Sequence, residues 1–256
     1  MESRSHMIIG KRAVFEALKS GMPISRILAY DGLERDRDME DLLRRASKAG
    51  VRIDFLPKRK FDAACGDSEG HASQGVAAEA PPFPYASIHD IVDAASKGPS
   101  GGGHNALVVV CDHVTDAGNL GAIVRSAESV GASGVVIPNA RAAQVTAATY
   151  KTSAGAVAHL PIARVPNLKR ALQELKDAGF WVVGATEHAD DLLWDTDLTG
   201  RIALVMGNEH DGISELVLKN CDLTCKLPQE GSISSLNVAQ ASTVFMYEWL
   251  RQNHSS

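Results

Sequence analysis

The sequence predicts an α/β protein whose C-terminal part is built on a buried parallel sheet. From residue 105 onward apolar strands alternate with helices. Those strands are near-continuous apolar runs, as expected of a sheet covered on both faces. The stretch "CDHVTDAGNLGAIVRSAESVG" (111–131) then takes one such strand through an acidic, glycine-bearing turn into a small-residue helix. Its glycines, Gly118 and Gly121, lack the G-x-G-x-x-G spacing of a dinucleotide fingerprint. Something else needs this turn.

Taken in order, "MESRSHM" before "IIGKRAV" reads as an expression scar over residues 1–6. "GKRAVFEALKSG" (10–21) has Val14, Phe15 and Leu18 at helical spacing and closes on glycine. "SRILAY" is a strand, "RDMEDLLRRASKAG" a helix, "VRIDFLP" a strand, "KRKFDAAC" a short helix and "SQGVAAEA" a final strand, giving a compact α/β domain over residues 1–80. Prolines at one end and "GPSGGGH" at the other mark 81–103 as a linker with a short helix inside it. Residues 104–256 follow as the second domain. Its strands are "ALVVVCD", "GVVIP", "AVAHLPIARV", "FWVVGAT", "IALVMG" and "CDLTCKLP", with helices near 119–130, 167–178, 213–219 and 236–252. Ligands on such sheets sit beyond the carboxyl ends of the strands.

Composition narrows the class. With 45% hydrophobic and 22% charged residues the chain is ordinary for a soluble globular protein. No apolar run approaches the ~20 residues of a membrane helix, and the N-terminus lacks the apolar core of a signal peptide. The expected location is the cytoplasm, with no membrane partner. The cysteines at 65, 111, 221 and 225 are few and irregular. Cys221 and Cys225 have no second ligand pair, so reduced thiols are expected and no metal. A net charge of −5 argues against crude electrostatic binding of nucleic acid. Residues 1–80, however, hold 14 Lys and Arg against 13 Asp and Glu, and the remainder 12 against 18. If RNA binds, local patches must do it. Lys11 and Arg12, and Lys58, Arg59 and Lys60, are the candidates; the plainer reading of each is a solvated helix face.

Three loops carry candidate chemistry. In the first, a helix starting near Gly118 would bury Leu120, Ile123, Val124 and Ala127 and leave Arg125 off that stripe. Helical side chains lean toward the N-terminus, so Arg125 would run back over two bare glycines toward Asn119. An arginine there opposes the helix dipole unless an anion joins it. That suits a phosphate or an oxygen becoming negative; the plainer reading is a salt bridge to Asp112, Asp116 or Glu128. In the second loop, "VMGNEHDGISEL" (205–216), a strand ends at Gly207, which would let a ligand approach the backbone, and Glu209 follows as a cap or a site group. In the third, "LPQEGSISSLNVAQASTVFMYEWL" (227–250), Ser234 or Ser235 is a candidate N-cap and Asn237 sits in the first turn. The helix that follows is apolar on nearly all sides, which points to a subunit interface.

Together "NLGAIVR" (119–125), "GNEHDG" (207–212) and "PQEGSISSLNV" (228–238) resemble, in order and distance, the motifs of the SpoU/TrmH family of S-adenosylmethionine-dependent RNA ribose 2′-O-methyltransferases, within the SPOUT superfamily. "KTSAGAVAHLPI" (151–162) is a secondary match, and "IIGKRAVFEAL" with "SQGVAAE" resemble the ribosomal-protein-like substrate-binding domain of the RlmB-type subgroup. The resemblance implies a parallel-sheet domain tied in a deep trefoil knot, against the general rule, and a homodimer through that domain. It implies that S-adenosylmethionine is the methyl donor. Thr186, Met206, Gly207, Asn208, Glu209, Leu227, Ser235, Leu236 and Asn237 would line its pocket. Asn119, Arg125, Glu209, Ser235 and Asn237 fall on the catalytic positions. The sequence departs from the family at Ala117, where proline is usual, and at His210, Gln229 and Gln240, which touches the shape of the pocket. The implied reaction is methylation of a large-subunit rRNA guanosine. A tRNA ribose, an antibiotic-resistance site, or a knotted protein that binds RNA without methylating it are the alternatives. A 2′-hydroxyl target means RNA and not DNA.

Overall fold

The computed structural model describes residues 6–19, 22–34, 36–65, 74–97, 104–208, 211–231 and 235–254. Contacts divide the chain into two units: residues 1–84 with 145–159, and residues 85–144 with 160–256.

The first unit carries a four-stranded sheet in the order β1-β4-β2-β3. β1 (His6–Ile9) runs antiparallel to β4 (Val76–Ala80), β4 antiparallel to β2 (Arg26–Tyr30), and β2 parallel to β3 (Arg52–Leu56). His6, the last residue of the expected leader, pairs with Ala80 in this sheet; residues 1–5 lie outside the described residues. Helix α1 (Lys11–Lys19) buries Ala13, Val14 and Ala17. Phe15 and Leu18, expected on that stripe, are only half-buried. The reason is a second layer: Phe15 lies under the Arg45 guanidinium at 4.6 Å. Helix α2 (Arg37–Lys48) starts at Asp36, whose carboxylate accepts from the Met39 amide at 2.8 Å and from Lys11 Nζ at 2.6 Å. Met39, Leu42 and Ala46 form its buried stripe. Helix α3 (Lys58–Cys65) anchors by Phe61 and Cys65. The unit is completed by α6 (Ala147–Thr152) and a 3-10 turn at Ala156–Ala158. Tyr150 is 1% exposed there, with its hydroxyl 3.0 Å from Met22 Sδ. "AVAHLPIARV" thus splits: its first part is this turn, and only Ile162–Val165 is strand, with Pro161, which has no amide donor, just before it.

The second unit holds six strands, all parallel, in the order β10-β8-β9-β5-β6-β7. They are β5 (Ala106–Cys111), β6 (Gly134–Pro138), β7 (Ile162–Val165), β8 (Trp181–Ala185), β9 (Arg201–Met206) and β10 (Leu223–Cys225). Every residue of β5 and β6 is buried, as continuous apolar runs require. Helices α4 (Ile88–Lys97) and α7 (Leu168–Asp177) share a core with Val108, Val110, Val136, Ala203 and Val205. Helix α5 (Ala117–Ser129) buries Leu120, Ile123, Val124 and Ala127, the stripe its spacing predicts, and packs on α9 (Val238–Asn253). A short α8 (Glu215–Leu218) precedes β10. From β5 the chain steps outward through β6 and β7, then places β8 on the other side and β9 between β8 and β5. Strand order reverses there, where ligand crevices form in open parallel sheets.

Helix α4 lies inside the stretch expected to be linker, yet Ile91 is 0% exposed. It lies over Gly134, where an added Cβ would come within 2.7 Å of Ile91 Cδ1. Ile88, Ile91 and Ala95 recur at helical spacing, so α4 is drawn into the second core by burial. Ile91→Ala is expected to cost about 2–5 kcal/mol, read as a lower urea midpoint, as for a core cavity. A linker residue would change stability by less than about 0.5 kcal/mol.

Candidate active site

The carboxyl ends of β8, β9 and β10 open into a cavity of about 700 Å³, closed by the start of α9. That volume suits a ligand of cofactor size. Ala185 and Thr186 continue β8 into its wall, Met206, Gly207 and Asn208 continue β9, and Lys226, Leu227 and Pro228 continue β10. Ser235 and Leu236 in the loop before α9, with Val238 and Phe245 on the helix itself, close it. Of the residues expected to hold a ligand, Thr186, Met206, Gly207, Asn208, Leu227, Ser235 and Leu236 line this one cavity. Asn237 does not line it, and Glu209 and His210 lie outside the described residues.

The β9 wall is a closed loop. The Asn208 amide donates to the Gly212 carbonyl at 2.8 Å, and the Gly212 amide returns to the Asn208 carbonyl at 3.0 Å. Gly212 adopts φ +67°, a left-handed conformation that glycine takes without strain. Gly207 is required for a different reason from the one its position suggests. A Cβ there would meet the Gly212 carbonyl carbon at 2.2 Å and the Ile213 amide at 2.3 Å. Its bareness makes room for the loop's own backbone and not for a ligand. Asp112, which sequence reasoning noted only as a partner for Arg125, ties this loop to β5. It is fully buried, its amide donates to the Met206 carbonyl at 2.7 Å, and its carboxylate accepts from Ser214 N at 2.7 Å and Ser214 Oγ at 2.6 Å. A polar residue ending an apolar strand was the signal available for it.

A second junction joins α5 to α9. Asn237 is the N-cap of α9 rather than a first-turn residue: its Oδ1 accepts from the Ala239 and Gln240 amides at 2.9 and 3.4 Å. Ser235 is exposed in the loop before it, and Ser234 lies outside the described residues. The amide nitrogen of Asn237 donates to Asn119 Oδ1 at 3.0 Å. One side chain thus starts one helix and grips the first turn of another. Asp116 caps α5 by accepting from the Asn119 amide at 2.7 Å, leaving Ala117 as first helical residue, where a proline would also fit. Arg125 is exposed on α5 and has no ion pair or side-chain hydrogen bond among the described residues. The salt bridge to Asp112 or Asp116 is not formed, because Asp112 serves Ser214 and Asp116 serves the cap.

The basic candidates of the first unit separate. Lys11 is engaged by Asp36, and this hydrogen bond, ahead of the Met39 amide, holds the Asp36 carboxyl below the usual carboxylate range. Arg12 is exposed. Lys58, Arg59 and Lys60 form the exposed first turn of α3 with no acidic residue there and no ion pair among the described residues. Cations at a helix N-terminus are unfavourable without an anion. Cys221 and Cys225 are thiols that burial pushes up to about 12 and about 11, so both stay protonated near neutrality.

Comparison with known proteins agrees with this geometry. Residues 106–247 match the SpoU rRNA Methylase family, and residues 7–86 match the RNA 2'-O ribose methyltransferase substrate binding family. The chain is 35% identical over 254 residues to YacO of Bacillus subtilis, described as a TrmH family tRNA/rRNA methyltransferase, covering 99% of this chain and 98% of that one. It is 38% identical over 245 residues to a tRNA/rRNA methyltransferase of Mycobacterium avium, covering 96% of this chain and 77% of the relative. The SpoU methyltransferase AviRb of Streptomyces viridochromogenes, crystallised with the cofactor AdoMet, superposes with a TM-score of 0.80 at 28% identity, covering 97% and 90% of the two chains.

The Gly207 loop yields a direct test. Gly207→Ala is expected to cost about 1–3 kcal/mol in thermal unfolding, because backbone must shift to admit the methyl. Gly231→Ala, where a Cβ meets nothing within 4 Å, is the control and stays within about 0.5 kcal/mol.

Proposed function

The chain belongs to the SpoU rRNA methylase family, and from that premise we propose that it transfers a methyl group from S-adenosylmethionine to a ribose 2′-hydroxyl of RNA, in a guanosine of large-subunit rRNA. The observation that carries this reading is the gathering of Thr186, Met206, Gly207, Asn208, Leu227, Ser235 and Leu236 on one cavity at the carboxyl edge of the parallel sheet. The wall fits the donor chemically. Leu227, Ile213 and Phe245 offer an apolar face for a purine, while Thr186, Asn208, Ser235 and Lys226 offer polar groups for a ribose and a zwitterionic tail. Bound there, the donor supplies an electrophilic methyl on a positively charged sulfur.

The chain's own residues do the rest. A 2′-hydroxyl is a weak nucleophile and its oxygen gains charge as it attacks. A guanidinium stays protonated at neutral pH, so Arg125 acts as electrostatic stabiliser and positioning group rather than as base. Its exposure and lack of a partner among the described residues leave it available to a 2′-oxygen or an adjacent phosphate. Asn237 holds Asn119 and so fixes the first turn of α5, the helix that carries Arg125. Arg12, Lys58, Arg59 and Lys60 of the first unit are read as phosphate-binding groups that bring in the RNA. A homodimer through α9 is part of the reading, supported by Tyr247, an aromatic side chain 50% exposed on that helix. So is a trefoil knot in the chain around β10 and α9, supported by the late insertion of β9 between β8 and β5.

Mapping 2′-O-methyl groups in rRNA and tRNA from cells lacking the gene, then restoring the missing one with purified protein, tests the substrate. A missing mark in tRNA alone would displace the rRNA assignment. Arg125→Ala is expected to lower single-turnover methyl transfer about 10²–10³-fold while donor affinity survives. Arg125→Lys should restore little if the planar fork grips two oxygens. Near-normal turnover of Arg125→Ala would make the residue structural. Replacing Lys58, Arg59 and Lys60 together by Ala should weaken RNA binding and flatten its logarithmic salt dependence by about 0.7 for each phosphate no longer neutralised.

A further inference from the structure

We propose that Phe55 and the cations Lys58, Arg59 and Lys60 of the first unit form one platform for an unpaired nucleotide, with the base stacked on the ring and the phosphates held by the cations. The RNA so held is a single strand or a looped-out base, not a duplex. The assignment rests on the reading of the first unit as the part that brings in RNA. β3 is the edge strand of its sheet. Alternate residues of a strand face opposite ways, so Leu56, packed with Leu28, Phe61, Cys65 and Ala77, leaves Phe55 on the other face. Phe55 is 45% exposed, and among the described residues it is the one large apolar side chain of the first unit left so far in solvent. A single exposed apolar residue is ordinary. What marks this ring is the charge beside it.

The next turn of chain carries Lys58, Arg59 and Lys60, all exposed, and none of them has an ion pair among the described residues. The acids nearest in sequence do not neutralise them. Asp54 is taken by Arg52 Nε at 2.6 Å and lies 3.7 Å from Arg26, and Asp62 on α3 forms no ion pair with them among the described residues. The Cα atoms of Phe55 and Lys58 are at most about 11 Å apart, the reach of three extended residues. Ring and cations are also held rigidly together. Phe55 is registered on Ala29 and Leu56 on Tyr30 in the ladder with β2. The Leu56 carbonyl accepts from the Asp31 amide at 3.0 Å, and the Pro57 carbonyl accepts from the Lys60 and Phe61 amides at 2.9 and 3.0 Å. Helix α3 thus starts directly from the strand end, across a proline whose φ is fixed.

The partner follows from the chemistry. Three uncompensated cations in one short turn call for a polyanion. An aromatic face within reach of them calls for a flat π-system on the same ligand. An acidic peptide would answer the cations and leave the ring in water; RNA supplies a phosphate and a base at every residue. In an A-form duplex each base face is covered by its neighbours, so only an unstacked base reaches the ring. Every base has a π-face, so the platform contributes affinity and tolerates many sequences.

The full-length protein is titrated with a short single-stranded RNA and with the same strand in a perfect duplex. Phe55→Ala is expected to weaken single-strand binding about 5–100-fold and to leave duplex binding within about twofold. Phe55→Leu, which keeps apolar bulk without a ring, should lose nearly as much, and Phe55→Trp should retain the parental affinity. Indole emission in Phe55→Trp should be quenched by the single strand beyond any change in the parent, a reading that holds even if Phe55→Ala fails to fold. Phe55→Ala should lower affinity at an unchanged logarithmic salt dependence, whereas joint replacement of Lys58, Arg59 and Lys60 flattens it. Unchanged single-strand affinity in a folded Phe55→Ala, binding by Phe55→Leu equal to that of Phe55→Trp, or an unquenched indole would each overturn the platform; a flattened salt dependence in the cation variant would then leave the RNA reading of the first unit standing. A parent that binds no RNA, or a cation variant that binds as the parent does, would overturn that reading and the platform with it.

Discussion

A buried carboxylate pins the carboxyl edge of the large sheet. Asp112 ends β5, receives the amide and hydroxyl of Ser214, and sends its own amide to Met206 at the end of β9. Burying a charge without partners would cost several kcal/mol, so these bonds are obligatory once the strand ends are packed. They set where β9 hands over to the loop that lines the cavity at Gly207, Asn208, Asp211 and Gly212. The same carboxylate fixes His113.

The joint between α5 and α9 likewise uses every atom of one side chain. Asn237 satisfies two orphan amides of α9 with its oxygen and holds Asn119 with its nitrogen. Ser126 and Thr243 meet 2.7 Å apart further along the same pair of helices. Arg125 projects from the helix so fixed, and no acidic side chain among the described residues neutralises it. On the proposed reading, that unpaired cation is available to negative charge that appears only during reaction.

The first unit shows how similar residues can part company. Lys11 and Lys58 to Lys60 look alike in sequence, each a basic cluster opening a helix. Lys11 is drawn to Asp36 because Asp36 must sit at the start of α2 to cap it. The α3 cluster has no such neighbour among the described residues and stays in solvent.

By itself the sequence determined the class of the fold, the order of most elements, the buried stripe of α5 and seven of the residues that line the cavity. These follow from local periodicity, turn chemistry and motif order, which short stretches carry. It could not assign α4 to the second core, since Ile88, Ile91 and Ala95 make a modest stripe between proline- and glycine-rich flanks, and only burial over Gly134 claims it. Nor could it return residues 145–159 to the first unit, a matter of long-range packing. Tertiary structure alone decided that Gly207 is bare for its own loop, that Asn237 rather than a serine caps α9, and that Asp112 answers Ser214 and His113 instead of Arg125. Each of these depends on groups far apart in sequence competing for one hydrogen bond or one small volume, and that competition is settled only when the chain is packed.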